Sequence, residues 1–74
     1  MAGNIYTYEN RQFANRIKGE RVICADVLGC VLDRTPGCAV GTLLGVVEDY
    51  YPFEVKKERG GIERFQFIRE VGPV

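Results

Sequence analysis

Residues 41–71 carry the clearest apolar/polar pattern of the chain and predict three β-strands separated by two tight turns. GTLLGVVED is β-prone, YYP interrupts it, FEVKKE alternates, RGG interrupts again, and IERFQFI alternates in turn. The register of the last hairpin follows from what each loop would set side by side. A two-residue Gly60-Gly61 loop opposes Val55 to Gln66 and Lys57 to Arg64. A three-residue loop, Arg59-Gly60-Gly61, opposes Val55 to Phe65, Phe53 to Phe67 and Lys57 to Glu63. The second choice pairs apolar with apolar and opposite charges together, and it supplies glycine where the loop needs a left-handed residue. It is the register expected here.

In the preceding hairpin, Asp49 opposite Phe53 across Tyr50-Tyr51-Pro52 sets Gly41, Leu43, Gly45 and Val47 inward. Inward glycines suit a strand bending around a small barrel. Thr42, Leu44, Val46 and Glu48 then face outward, and two of these are aliphatic.

The first third predicts a short α-helix over residues 8–18. Thr7 is the expected N-cap, Glu9 suits the positive end, Lys18 the last turn, and Gly19 the stop. Phe13 and Ile17, four residues apart, form its apolar stripe. ERVICAD begins as a strand. VLGCVLD either continues as a bulged strand or loop near Gly29, or coils back as a short helix through Val27, Leu28, Val31 and Leu32; the strand is favoured. Pro36-Gly37 marks a turn. The expected core is Phe13, Ile17, Val22, Cys24, Leu43, Val47, Val55, Phe65 and Phe67.

Seventy-four residues make one domain, 1–74, that buries only about 60% of the surface its unfolded chain exposes. Self-association is a common remedy at this size. Ten acidic and ten basic residues cancel, so no global field draws the chain to nucleic acid. Residues 1–21 carry net +2, residues 22–49 net −3 and residues 50–74 net +1. The first twenty residues lack the apolar centre of a signal peptide, and GCAVGTLLGVV is far short of a membrane span. A cytoplasmic protein with no membrane partner is expected. Cys24, Cys30 and Cys38 are odd in number and outside any CxxC pair, so free reduced thiols are expected, with Cys38 the exposed one. With no histidine, a zinc site and His-assisted catalysis both lose their usual residues. No metal, no cofactor, no catalytic residue and no enzymatic activity are expected.

Gly19-Glu20-Arg21-Val22, then Gly41 to Val46, then Phe67 to Val71 together resemble the strands of SH3-like small barrels, a superfamily that includes Tudor-like and KOW-type modules. The resemblance spans residues 19–72 and implies a mainly β fold: a partly closed five-stranded barrel over residues 20–72, preceded by the N-terminal helix. It attaches no activity. One enzyme family of this architecture, the type II dihydrofolate reductases, is a tetrameric barrel with a shared pore lined by a Val-Gln-Ile-Tyr strand. Phe65-Gln66-Phe67-Ile68 resembles that strand through its glutamine, which would imply an oligomeric enzyme with a shared site.

Three functions compete. A protein-binding or self-assembling module would use Leu44, Val46, Tyr50, Tyr51 and Pro52, aromatics beside outward aliphatics, giving a homodimer or higher homo-oligomer or a contact with another protein. A nucleic-acid-binding barrel would use Lys56, Arg64 and Gln66, though Glu54 shares their face. An oligomeric enzyme is third. The first is the expected function.

Overall fold

The computed structural model describes residues 3–71, so the expected barrel end at residue 72 lies outside the described residues. Six strands form one antiparallel sheet: β1 (Ile5–Tyr6), β2 (Arg21–Ala25), β3 (Ala39–Val46), β4 (Phe53–Lys57), β5 (Ile62–Phe65) and β6 (Phe67–Glu70). Their order across the sheet is β1-β6-β2-β3-β4-β5. The mainly β expectation holds. The count is six rather than five, because Ile5–Tyr6 adds to the outer edge of β6, and the two edge strands β1 and β5 do not pair with each other.

β2 explains why RVICA reads as a nearly unbroken apolar run. It is flanked by β6 and β3, and both of its faces are covered. Val22 and Cys24 join the larger core with Leu43, Phe53, Val55, Phe65, Ile68 and Tyr6. Ile23 and Ala25 point the other way, into a second core with Val31, Phe67 and Val40. The first core includes Tyr6 from one edge of the sheet and Phe65 from the other. Among the described residues, a seven-residue helix, Arg11–Ile17, packs on this face through Ala14 and Ile17.

The N-terminal helix is a 3-10 helix, Arg11–Ile17, not an α-helix over 8–18. Its buried residues are Ala14 and Ile17, three apart, because side chains at i and i+3 eclipse in this geometry. Phe13, the expected partner of Ile17, is 57% exposed. Thr7 does not cap the helix: its amide donates to Asn10 Oδ1 at 2.6 Å, in a turn ahead of the first helical residue.

Residues 28–33 form a helix, α1 (Leu28–Asp33), where a strand or loop was expected. Val31 is its buried residue, and it closes the second core over β2 and β6. Arg69 of β6 is 8% exposed and donates from Nη1 to the Leu32 carbonyl at 3.1 Å. A cation thus meets the carbonyl end of a helix too short to stand alone.

Both expected registers are displaced: in the first hairpin Val46, not Asp49, lies opposite Phe53, because the connection takes up residues 47–52 rather than Tyr50-Tyr51-Pro52 alone. A bulge lies between Leu43 and Gly45: Leu43 pairs with Val55, yet Gly45 pairs with Glu54 and Val46 with Phe53. The extra residue reverses the facing of everything after it. Val46 therefore turns inward and packs, half-buried, on the larger core, while Val47, expected in the core, is not among its members. The last hairpin keeps its facing but pairs two residues along, with Phe53 opposite Phe65 and Val55 opposite Glu63. Its three-residue loop is Glu58-Arg59-Gly60, closed by Gly60 N to Lys57 O at 3.0 Å and Lys57 N to Gly61 O at 2.9 Å. Gly60 and Gly61 have φ of 106° and 86°, which side chains rarely adopt. The chain then bends at Gln66, so Phe65 and Ile68 both reach the larger core and Phe67 enters the second.

Candidate functional site: an acid-lined cleft beside the short helix

A cleft of about 660 Å³ opens where β2 runs into α1, facing the β4–β5 hairpin. Its apolar floor is Ala25, Ala39 and Phe65; its polar lining is Asp26, Asp33, Glu63 and Lys57. Lys57 Nζ lies 2.8 Å from Glu63 Oε1, so that wall is internally neutralised. Among the described residues, neither Asp26 nor Asp33 has an ion-pair partner. Asp33 Oδ1 accepts from the Thr35 amide at 3.3 Å, which fixes the turn after α1. The outer side of α1 exposes Leu28 and Leu32, and Val27 before it is 66% exposed and lines the cleft.

The field of these carboxylates reaches into the core. Cys24 is fully buried, its Sγ donating to the Ala39 carbonyl at 3.4 Å. Burial, and then the Glu63 and Asp26 charges, push its thiol up from an ordinary 9.0 to about 12, with Lys57 pulling the other way. The thiol stays protonated and inert.

Cys30 and Cys38 are joined by a disulfide, contrary to the expectation of three free thiols; Cys24 is the free cysteine. Cys30 sits on α1 and lines the cleft, and Cys38 lies just ahead of β3. The turn through Pro36-Gly37, with Arg34 left-handed at φ 57°, reverses the chain and brings their Cα atoms to 5.7 Å.

The residues singled out from the sequence are only partly brought together. Pro52 is fully buried and Val46 packs on the core, so neither lines a surface patch. Leu44 is half-buried at the bulge. Tyr50 and Tyr51 are 64% and 40% exposed, with ring centroids 5.3 Å apart and edge to face. Their loop is held from both sides: Asp49 meets Arg64 at 3.2 Å, and Glu48 meets Arg11 at 3.7 Å. Arg11 also stands 4.1 Å over the Tyr8 ring.

Lys56 and Arg64 are exposed on the outer face of the last hairpin, but Arg64 is paired with Asp49 and lies directly opposite Glu54. Gln66 occupies the bend between β5 and β6 rather than a continuous strand, and Phe65 and Phe67 enter different cores.

Asp26, Asp33 and Glu63 were not singled out from the sequence. The signal for the first two is the pair of acids bracketing VLGCVL, which becomes a cleft wall once that segment coils. Among the described residues, no group of three or more His, Cys, Asp or Glu side chains is placed to hold a metal ion, and no helix is long and apolar enough to cross a membrane. Comparison of the chain with protein-family models, with curated proteins and with solved structures gives no match.

Proposed function

We propose that this protein is a non-enzymatic binding module acting through protein–protein contacts, and that its cleft takes a polypeptide segment carrying a cationic side chain. The observation that carries this reading is that the Asp26 and Asp33 carboxylates, without ion-pair partners among the described residues, stand over an apolar floor with the exposed Val27, Leu28 and Leu32 beside it. A cleft of about 660 Å³ has room for a short peptide segment, and its charged lining can fix the orientation of one side chain. Complementary charge would orient it, and the neighbouring aliphatics would supply the buried area. The curled sheet, with hairpins linking β3, β4 and β5, supports reading β2–β6 as an SH3-like small barrel left open between its edges.

The test is a titration of 15N-labelled protein with a peptide of alternating arginine and leucine, alongside its glutamate-leucine counterpart. The reading expects shifts confined to residues 25–39, 57 and 63 with the basic peptide, weakened about tenfold by Asp26→Asn with Asp33→Asn, one to two ion pairs' worth in a partly exposed site. Equal binding of both peptides, or shifts centred elsewhere, would refute it.

A second reading, a homodimer contact, is favoured by the exposed Tyr50–Tyr51 pair held on a braced loop. Light scattering of the wild type against Tyr50→Ser with Tyr51→Ser tests it: a dimer that the double substitution converts to monomer is expected, and a wild type already monomeric at high concentration ends it.

A further inference from the structure

We propose that the Cys30–Cys38 disulfide is a reversible clasp on the cleft, holding the wall from Asp33 to Gly37 in place when oxidised and releasing it when reduced. The inference rests on reading the cleft as the binding site.

Position is the first argument. Cys30, Asp33, Thr35, Pro36 and Gly37 all line the cleft, and all lie within the loop that the disulfide closes. Residues 32–37 are exposed without exception, so no core packing holds them. Besides the sulfurs, this stretch is tied by hydrogen bonds alone: Arg34 N to Cys30 O at 2.8 Å, Cys38 N to Thr35 O at 3.2 Å, Thr35 N to Asp33 Oδ1 at 3.3 Å, and Arg69 Nη1 to Leu32 O at 3.1 Å at its start.

Independence from the core is the second. The fully buried members of both cores include neither Cys30 nor Cys38, which pack against the second core as half-buried residues, and Val31 with Arg69 anchors α1 without the bond. The two cysteines are only eight residues apart, so the bond restricts the unfolded chain less than a long-range link would. Breaking it frees one wall and leaves the sheet intact.

Chemical isolation is the third. Both cysteines are half-buried and flank the exposed residues 32–37. Cys24 is buried, and its thiol is held protonated, so it does not attack the bond and scramble it. The step is a two-electron exchange. A dithiol reductant's thiolate attacks one sulfur to give a mixed disulfide; its second thiol displaces that sulfur; the reductant leaves as its own disulfide, and Cys30 and Cys38 each take up a proton. Oxidised dithiol or glutathione disulfide reverses it.

The experiment compares amide hydrogen exchange of the oxidised protein with the same sample in excess dithiothreitol, then after reoxidation with glutathione disulfide. Expected are a tenfold or greater loss of protection confined to residues 28–38, unchanged protection in β2 to β6, and full recovery on reoxidation. Binding of the arginine-leucine peptide should weaken at least fivefold on reduction, and Cys30→Ser with Cys38→Ser should match the reduced protein. Unchanged exchange at 28–38, or unfolding of the whole sheet on reduction, would overturn the clasp. If the peptide fails to bind in either state, the exchange data still decide the clasp, and the failure falls on the cleft reading alone.

Discussion

Val46 lies directly opposite Phe53 and packs on the larger core, although simple alternation from Leu43 would point it at solvent. The bulge between Leu43 and Gly45 makes the difference. It also separates Val46 from Leu44, its expected companion on an outer apolar row.

The two residues should therefore respond differently to charge. Val46→Asp places a carboxylate against Phe53 and should destabilise the fold by at least about 2 kcal/mol. Leu44→Asp, at the bulge and outside the larger core, should cost under half as much. Urea denaturation of the two variants checks this, and equal costs would place both side chains on the same face.

Gly41 and Gly45 are separated by the same bulge. A Cβ on Gly41 would meet the Lys56 carbonyl oxygen and a Val55 methyl, whereas nothing lies near one built on Gly45. Gly41→Ala should cost about 1–3 kcal/mol by overpacking. Gly45→Ala should stay within about 0.5 kcal/mol of wild type. Melting curves of the two alanine variants decide it.

The 3-10 geometry of Arg11–Ile17 makes a matching contrast. Ile17→Ala removes a buried side chain and should cost about 2–5 kcal/mol. Phe13→Ala should change stability by less than about 0.5 kcal/mol, since that ring is mostly in solvent. A large loss from Phe13→Ala would indicate an α-helix docked through the i, i+4 pair.

Cys24 gives a pH dependence whose sign can be worked out. Its thiol pKa is raised in the folded state, so its contribution is whole below 9.0 and is lost as pH climbs toward about 12. In that window the unfolded chain releases the proton and the folded one keeps it. Stability should fall by up to about 1.4 kcal/mol per pH unit from this group. Cys24→Ala should show a shallower alkaline decline in urea titrations. Iodoacetamide should leave the folded thiol unmodified and alkylate it once urea is added.

Nucleic acid should bind weakly. The chain has no net charge, and Arg64 is already engaged by Asp49. Few counterions can be released, so fluorescence anisotropy with a labelled oligonucleotide should show a dissociation constant weaker than about 10 μM at physiological salt and a shallow salt slope. Tighter binding that Lys56→Ala abolishes would restore the basic face of the hairpin as a site.

What the sequence determined by itself is local. FEVKKE becomes β4 with Phe53 and Val55 inward, because strict alternation allows one facing only. Gly60-Gly61 marks the hairpin loop, because two successive positive φ values exclude most side chains. Lys57 and Glu63 meet on one face, as pairing by charge required, although they lie diagonally rather than directly opposite. Only the tertiary structure decided where periodicity breaks. The bulge at Leu44 and the bend at Gln66 each reverse a facing, and each sets on the larger core a side chain, Val46 or Ile68, that alternation would have turned away. VLGCVLD suits strand or helix by composition; it coils because β2 and β6 leave an apolar face that Val31 covers. The Cys30–Cys38 bond and the acid-lined cleft follow from that coil. No spacing rule reveals them until the chain has turned back at Pro36-Gly37 and set those side chains together.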